Sequence, residues 1–471
     1  MSSLKFGTSG LRGLVTDLEG WPSFAHAKAF LLSLDAGASG DRVVLIGRDL
    51  RPSSPAIAAT VADAAASAGY TALDCGALPT PALALEAMRR GAPAVMVTGS
   101  HIPQDRNGLK FYRPDGEITK ADEAAILAAL AGVGETGTVP TPPVRAEDDT
   151  EALARYRSRF MQFFAPGSLD GLTVAVYQQS SVARDLLGEL LAALGANVVP
   201  LGRSDTFVPI DTEAHRPEDV AFFRKAAEEG DYDALVTTDG DADRPLMADR
   251  KGRILRGDVV GTIAARHLGA DAVVVPVTAG SALERTGGFA TVRRTKVGSP
   301  HVIAGMEAAA REGGRVVVGF EANGGFLLGS PVRLGDRTIS ALPTRDAMLP
   351  MLAVLAAAKA AGTSLGKLVD AMDAGETASD RLADTPSEKS AALLARLGED
   401  DFRDAFLRPV GRCEGVDTTD GLRLALDGHR TIHFRASGNA PELRCYAEAG
   451  SAAEAEELVR WGLGVAADAM R

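Results

Sequence analysis

Three times along the chain a short, unbroken apolar run leads through a small polar turn into a longer stretch rich in alanine and leucine. The runs are Arg42-Val43-Val44-Leu45-Ile46, Leu172-Thr173-Val174-Ala175-Val176 and Ala272-Val273-Val274-Val275-Pro276, and residues 56–68 and 182–194 are two of the stretches. Apolar runs this short, without alternation, describe strands buried on both faces. A second apolar run then follows in each segment: Ala94-Val95-Met96-Val97, Ala234-Leu235-Val236 and Arg315-Val316-Val317-Val318. Each ends in a loop of small, polar and charged residues. Strand–helix alternation predicts parallel α/β sheets, whose ligand sites collect at the C-terminal ends of the strands.

Roughly the last hundred residues follow another pattern. Asp420-Gly421 and Asp427-Gly428 are hairpin signals flanking Leu422-Arg423-Leu424-Ala425-Leu426, and Thr431-Ile432-His433-Phe434 alternates after them. With the helical stretch 452–470 they predict a smaller antiparallel α+β unit with Phe434 and Trp461 in its core. Linker composition at 140–149 and weaker breaks near 250–252 and 371–376 divide the chain. The expected architecture is three similar α/β domains with mixed or parallel sheets, at 1–145, 150–252 and 253–370, then a smaller α+β domain at 376–471. A chain of 471 residues is too long for one ordinary core and suits three or four.

Composition narrows the class. Hydrophobic residues at 46% and charged residues at 24% describe a soluble globular chain. A net charge of −12 argues against non-specific binding to nucleic acid or an anionic membrane. No apolar run has bilayer-spanning length, and Met1-Ser2-Ser3-Leu4-Lys5-Phe6 lacks a signal peptide's apolar core. Cys75, Cys413 and Cys445 have no metal or redox spacing and suit a reducing compartment. A cytoplasmic enzyme, monomeric or dimeric, is expected. His26, His215, His267, His429 and His433 lack motif neighbours and read as structural or surface positions.

Candidate chemistry sits in the loops. In Thr237-Thr238-Asp239-Gly240-Asp241-Ala242-Asp243-Arg244, alternate residues of an extended segment point one way, so Asp239, Asp241 and Asp243 converge once the loop bends. Three clustered carboxylates repel unless a hard cation such as Mg²⁺ neutralises them. A solvated acidic turn explains poorly why the run follows an apolar strand and ends in Arg244. An EF-hand is excluded, because the sixth position from Asp239 is Arg244 and the twelfth is Arg250.

Thr98-Gly99-Ser100-His101-Ile102-Pro103 presents a serine on a Gly-flanked turn, suited to a nucleophile or phosphoryl carrier. His101 adjoins it and Lys110 lies a short loop away; taken alone, a plain turn explains the segment slightly better. The lipase-type Gly-x-Ser-x-Gly is absent, which argues against Ser-His-Asp hydrolysis. Gly319-Phe320-Glu321-Ala322-Asn323-Gly324-Gly325 spaces a carboxylate and an amide to grip neighbouring sugar hydroxyls, although an acidic turn fits equally well. Arg435-Ala436-Ser437-Gly438-Asn439-Ala440-Pro441-Glu442-Leu443-Arg444 brackets a turn with guanidinium forks, as a phosphate cradle or as a hairpin with surface arginines.

In this order the loops resemble the α-D-phosphohexomutases, the phosphomannomutase/phosphoglucomutase family. Phe6-Gly7-Thr8-Ser9-Gly10-Leu11-Arg12-Gly13 is similar to that family's opening and Ile46-Gly47-Arg48-Asp49-Leu50-Arg51 to its next strand end, so the likeness spans essentially the whole chain. The resemblance implies that Ser100 is the phosphoserine and that Asp239, Asp241 and Asp243 hold Mg²⁺ with its phosphate. It implies that Arg12, His101, Lys110 and Arg244 surround the transferring phosphoryl group. Glu321, Asn323 and Lys296 would meet the sugar, and Arg435, Ser437, Gly438, Asn439 and Arg444 the distal phosphate. The implied reaction interconverts hexose 1-phosphate and hexose 6-phosphate through a hexose 1,6-bisphosphate that also activates the enzyme.

The chain departs from that pattern in places. Ile102 stands where the family usually has Asn, Asn323 where it has Ser, and Gly325 where it often has His. Ser437-Gly438-Asn439-Ala440-Pro441 replaces a common Ser-Gly-Thr-Glu-Pro, and Thr295-Lys296-Val297-Gly298-Ser299 resembles a loop that carries a sugar-contacting His in some members. These departures bear on sugar preference rather than on the reaction. Phosphoglucosamine mutase is the second expectation, and a sugar phosphatase the alternative of another class.

Overall fold

The unbroken apolar runs fold as the central strands of three mixed sheets. The computed structural model describes residues 2–7, 10–34, 42–134, 136–141, 143–286, 288–437 and 441–470. In the first sheet Val43–Arg48 runs parallel to Thr71–Ala77 and Ala94–Val97, and Arg106–Arg113 returns antiparallel to Ala94–Val97. In the second, Thr173–Gln179 lies parallel to Asn197–Arg203 and Ala234–Thr238, and Pro245–Asp249 returns antiparallel. In the third, Ala272–Pro276 lies parallel to Thr291–Thr295 and Val317–Phe320, after which Phe326–Leu328 and Leu342–Asp346 run antiparallel.

Each sheet is therefore parallel until its last apolar strand and then folds back. Residues 98–105, 239–244 and 321–325 are the three turns where this happens. Their shortness is the cause, since a parallel return needs a crossover of about a dozen residues or more. Alternation alone predicts the parallel part; the loop lengths dictate the rest. The stretch 182–194 is helical only over Leu186–Ala193. The residues before it are held in turns, and Val182 N–H donates to Gly240 O at 3.1 Å. The segment 140–149 carries the two-residue strand Glu147–Asp148, which adds to the edge of the first sheet.

Helix Met348–Ala360 is apolar all round, and ten of its residues are buried, as a helix between layers requires. One continuous core runs from Leu45 through Val176 and Val318 to this helix, so the three α/β units share apolar packing. Polar ties reinforce it: Glu117 accepts from Ser299 Oγ and Thr344 Oγ1, both at 2.7 Å.

The last unit is a five-stranded antiparallel sheet in the order Glu376–Leu382, Leu443–Ala449, Arg430–Ala436, Leu422–Leu426, Cys413–Asp417. Helix Ala452–Ala469 packs on it, and its separate core includes Leu424, Phe434 and Leu458, with Trp461 against Phe406. This sheet meets the third unit where Asp420 Oδ2 accepts from Val297 N–H at 3.0 Å and Glu448 accepts from Ser281. Among the described residues, no helix is long and apolar enough to cross a membrane.

Candidate active site

Ser100 is fully buried, in a left-handed conformation (φ 55°) that non-glycine residues adopt only where the surroundings impose it. Here Arg51 imposes it. Its guanidinium, itself 1% exposed, donates to the carbonyls of Ser100, Ile102, Pro103 and Arg106 at 2.6–2.9 Å and pairs with Asp49 at 3.0 Å. A Cβ on Gly99 would lie 2.6 Å from Arg51 Cζ, so only glycine lets the loop close over the guanidinium. Asp49 also accepts from Thr98 Oγ1, which in turn accepts from Ser100 N–H, both at 2.8 Å.

The Ser100 hydroxyl donates to Asp239 Oδ2 at 2.6 Å, across the boundary between the first and second sheets. Carboxylate oxygens of Asp239, Asp241 and Asp243 all lie within 4.8 Å of one another, and all three residues are buried. The oxygens are not equivalent. Asp241 Oδ2 accepts from Thr80 Oγ1 and from Lys110 Nζ, the latter at 2.5 Å. Asp243 Oδ2 accepts from Lys110 Nζ at 2.6 Å and from Arg345 Nε and Nη2 at 3.0 and 2.8 Å. Asp241 Oδ1 and Asp243 Oδ1 are buried and accept no hydrogen bond, although Arg244 Nε lies 3.6 Å from the latter. Two orphaned carboxylate oxygens beside Ser100 and Asp239 are the donor set a hard divalent cation requires, so the residues fit Mg²⁺.

Electrostatics agree with a site built for both a cation and an anion. Burial, with Asp241 and Asp243 nearby, raises the Asp239 carboxyl well above the usual range. Burial pulls Asp243 the same way, but Arg345, Lys110 and Arg244 outweigh it and hold that carboxyl low. Burial and the neighbouring Arg244 and Arg345 bring Arg12 down to about 10. Crowded guanidiniums of this kind are relieved by a bound anion. Burial, then Arg244, pushes His101 down to about 3, so the imidazole is neutral. Its Nδ1 lies 3.1 Å from Arg244 Nη1 and 3.2 Å from Ser100 Oγ. With the guanidinium as donor, Nδ1 is the acceptor.

Glu321 and Asn323 are 5% and 8% exposed, at the turn of the third sheet. Thr212 Oγ1 from the second unit donates to Asn323 O at 2.7 Å, and Asn323 Oδ1 accepts from Gly325 N–H at 2.9 Å. Glu321 Oε2 lies 3.3 Å from Arg345 Nη1. A Cβ on Gly325 would lie 2.5 Å from Arg345 Cδ, which accounts for the small residue at a position where His was a possible expectation. In the last unit Arg435 and Arg444 occupy directly opposed positions of adjacent strands. Arg435 Nε donates to Asp420 Oδ2 at 2.8 Å, Arg444 pairs with Glu442 at 2.6 Å, and Ser437 is buried between the two strands' ends. A cavity of about 130 Å³ joins this unit to the sugar loop, with Glu213, Ala322 and Tyr446 on its walls. Lys296 is exposed, next to the Val297 amide that Asp420 holds. Gly438 and Asn439 lie outside the described residues.

Ser100, His101, Lys110, Asp239, Asp241, Asp243 and Arg244 thus share one hydrogen-bonded centre, with Arg12 in its field. Arg51, Thr80 and Arg345 belong to it as well and were not anticipated as site residues. Arg51 acts from the loop after strand Val43–Arg48 and Thr80 from the first turn of helix Thr80–Arg90, both remote in sequence from the Asp loop. Arg345 is the penultimate residue of strand Leu342–Asp346, where two adjoining charges before a helix apolar but for Lys359 were the available signal.

Family models match almost the whole chain. They are the phosphoglucomutase/phosphomannomutase alpha/beta/alpha domains I at 3–136, II at 154–252 and III at 256–374, and the C-terminal domain at 380–460. The chain is 47% identical to a phosphomannomutase of Sinorhizobium fredii over 98% of both chains. It is 44% identical to a phosphomannomutase of Salmonella muenchen, over 97% of this chain and 94% of that one. Among solved structures, a phosphoglucomutase/phosphomannomutase family protein from Burkholderia thailandensis superposes with a TM-score of 0.75 at 21% identity, over 98% and 97% of the two chains. The order of the loops, the meeting of the serine and aspartate loops at Ser100 and these full-length matches agree: the chain belongs to the phosphoglucomutase/phosphomannomutase family.

Proposed function

We propose that the protein is a phosphohexomutase that interconverts the 1- and 6-phosphates of mannose and glucose, with Ser100 as the phosphoryl carrier. The observation that carries this reading is the 2.6 Å hydrogen bond from Ser100 to Asp239, within a triad in which Asp241 Oδ1 and Asp243 Oδ1 are buried and accept no hydrogen bond. In this reading the units 1–145, 150–252, 253–370 and 376–471 contribute the serine, metal, sugar and phosphate loops in turn.

Phosphorylated Ser100 gives its phosphoryl group to the free hydroxyl of a hexose phosphate. The P–Oγ bond breaks and a P–O bond to the sugar forms, and the proton given up by the sugar hydroxyl is matched by the one Ser100 Oγ takes up as it leaves. The hexose 1,6-bisphosphate then turns end for end, and its other phosphoryl group returns to Ser100. Mg²⁺, held by Asp239, Asp241 and Asp243, would neutralise charge on the transferring oxygens, the main demand of phosphoryl transfer. Arg12, Lys110 and Arg244 add fixed positive charge around the same oxygens, and neutral His101 stays available as a hydrogen-bonding group. Arg435 and Arg444 grip whichever phosphate is remote, while Glu321 and Asn323 read the ring hydroxyls. Ser100 is fully buried, which keeps water from the phosphoserine and favours transfer over hydrolysis.

Phosphoglucosamine mutase ranks second because Asn323 and Gly325 depart from its usual Ser and His. The test is a coupled assay of mannose 1-phosphate conversion to mannose 6-phosphate, primed with catalytic hexose 1,6-bisphosphate and run beside glucose and glucosamine phosphates. Interconversion is expected with mannose and glucose phosphates. Inorganic phosphate as the main product contradicts the mutase reading and favours a phosphatase.

A further inference from the structure

We propose that Arg345 is a positioning residue that joins the metal loop to the sugar loop, one guanidinium orienting both Asp243 and Glu321. The inference rests on the function proposed above and adds a residue that the loop motifs do not contain. Arg345 lies on strand Leu342–Asp346 and is 2% exposed. Nε and Nη2 both donate to Asp243 Oδ2, at 3.0 and 2.8 Å, while Nη1 lies 3.3 Å from Glu321 Oε2. Two carboxylates from different units are thus bridged by one rigid planar cation. A lysine ammonium, as a point charge on a flexible stem, cannot reproduce that geometry.

The consequence for Asp243 is specific. Lys110 and Arg345 together place three hydrogen bonds on Oδ2. Oδ1 is left buried without a hydrogen bond, with Arg244 Nε 3.6 Å away. Arg345 therefore selects the oxygen that Asp243 offers to a cation, as outer groups orient metal ligands elsewhere. On its other side the same guanidinium holds the Glu321 carboxylate that is offered to ring hydroxyls. A change of sugar position at Glu321 is felt at Asp243 through a single buried side chain.

Gly325 makes the bridge possible. A Cβ there would lie 2.5 Å from Arg345 Cδ and 2.8 Å from Cγ, in the part of the side chain least able to move while its tip is pinned. Gly325 is not among the residues with positive φ, so its backbone would accept alanine; the Arg345 side chain, and less severely Asn323 Oδ1 at 3.1 Å, forbid it. Gly325→Ala is thus a second way to displace Arg345, with Asn323 crowded as well, so its effect on Mg²⁺ affinity is the arm that reports Arg345.

Calorimetric titration of the full chain separates the two arms without relying on turnover. Mg²⁺ affinity is measured without sugar, and mannose 1-phosphate affinity without metal, for wild type, Arg345→Lys, Gly325→Ala and Arg435→Lys. Thermal melts verify that each variant is folded at the titration temperature, and either Arg345→Lys or Gly325→Ala alone suffices. Because lysine keeps the charge, its effect reports geometry. The expected result is a loss of about tenfold or more in both affinities for Arg345→Lys and for Gly325→Ala, the scale for losing a group that orients a metal ligand or a charged hydrogen bond. Arg435→Lys lowers mannose 1-phosphate affinity alone. Loss of only one affinity, or of neither, in the folded Arg345 and Gly325 variants overturns the bridge. Wild-type protein that binds Mg²⁺ but no hexose phosphate overturns the functional reading and the bridge with it.

Discussion

Arg435 and Arg444 stand directly opposite one another on adjacent antiparallel strands, each tied to its own carboxylate, Asp420 and Glu442. Like charges in that position repel, at a cost of roughly 0.2–1 kcal/mol. In the function proposed above, an anion between them would relieve that repulsion.

Arg435→Ala or Arg444→Ala should weaken hexose phosphate binding by about 1.5–3 kcal/mol, the range for charge-assisted hydrogen bonds. Because the remote phosphate is held in ground and transition states alike, KM should rise more than kcat falls. The melting free energy of Arg444→Ala should move by no more than about 1 kcal/mol, since repulsion is relieved as the ion pair is lost. If Arg435→Ala leaves KM unchanged and blocks phosphorylation of Ser100 instead, the loop roles are exchanged.

Asp241→Asn should cripple phosphoryl transfer without unfolding the protein. The substitution lessens repulsion among three buried carboxylates but removes one counterion of the cation. Several kcal/mol of transition-state stabilisation are at stake, a loss of about a thousandfold in kcat. Chelation of the wild-type enzyme should mimic it and be reversed by Mg²⁺. Undiminished turnover in a metal-free preparation contradicts the assignment.

Arg51→Met should be the most destabilising of these changes. It leaves the buried Asp49 with only neutral donors, from Ser54, Thr98 and the residue 51 amide, and strips donors from four loop carbonyls. Breaking a buried pair by removing one partner costs about 3–5 kcal/mol, read as a lowered denaturation midpoint. A wild-type midpoint means that the serine loop holds its shape without Arg51.

Galactose 1-phosphate should be a poor substrate beside mannose and glucose 1-phosphates. The half-turn that exchanges the C1 and C6 ends of the bisphosphate roughly exchanges the 3- and 4-hydroxyls, whereas the 2-hydroxyl finds no equivalent contact. A site reading both orientations through Glu321 and Asn323 grips the 3,4-diol and reads C2 loosely. Galactose inverts C4, and a misdirected hydroxyl against a buried carboxylate costs about 1–3 kcal/mol, roughly tenfold to a hundredfold in kcat/KM. Parallel assays decide it, and comparable turnover of the galactose compound means that these two residues do not read the diol.

Much of this was legible in the chain before folding. Val43–Arg48, Thr173–Gln179 and Ala272–Pro276 announced themselves as buried strands because a strand covered on both faces has no polar position to interrupt its run. Ser100, the Asp triad and Glu321 were visible because each follows such a run directly. The roles of Arg51, Thr80 and Arg345 were not, since they depend on long-range contacts that the local sequence does not specify: Thr80 reaches Asp241, and Arg345 reaches Asp243. The turn-back of each sheet was recoverable only from loop length, and the helix at 186–193 began late because a tertiary contact at Gly240 claimed the residues before it.

The most direct test of the central claim is peptide mass spectrometry of the protein after exposure to hexose 1,6-bisphosphate, with Ser100→Ala assayed in parallel. A single phosphate on Ser100, and no bisphosphate-primed turnover in the variant, is the expected result. An active wild-type enzyme with Ser100 unmodified, or a Ser100→Ala variant with full activity, contradicts the account.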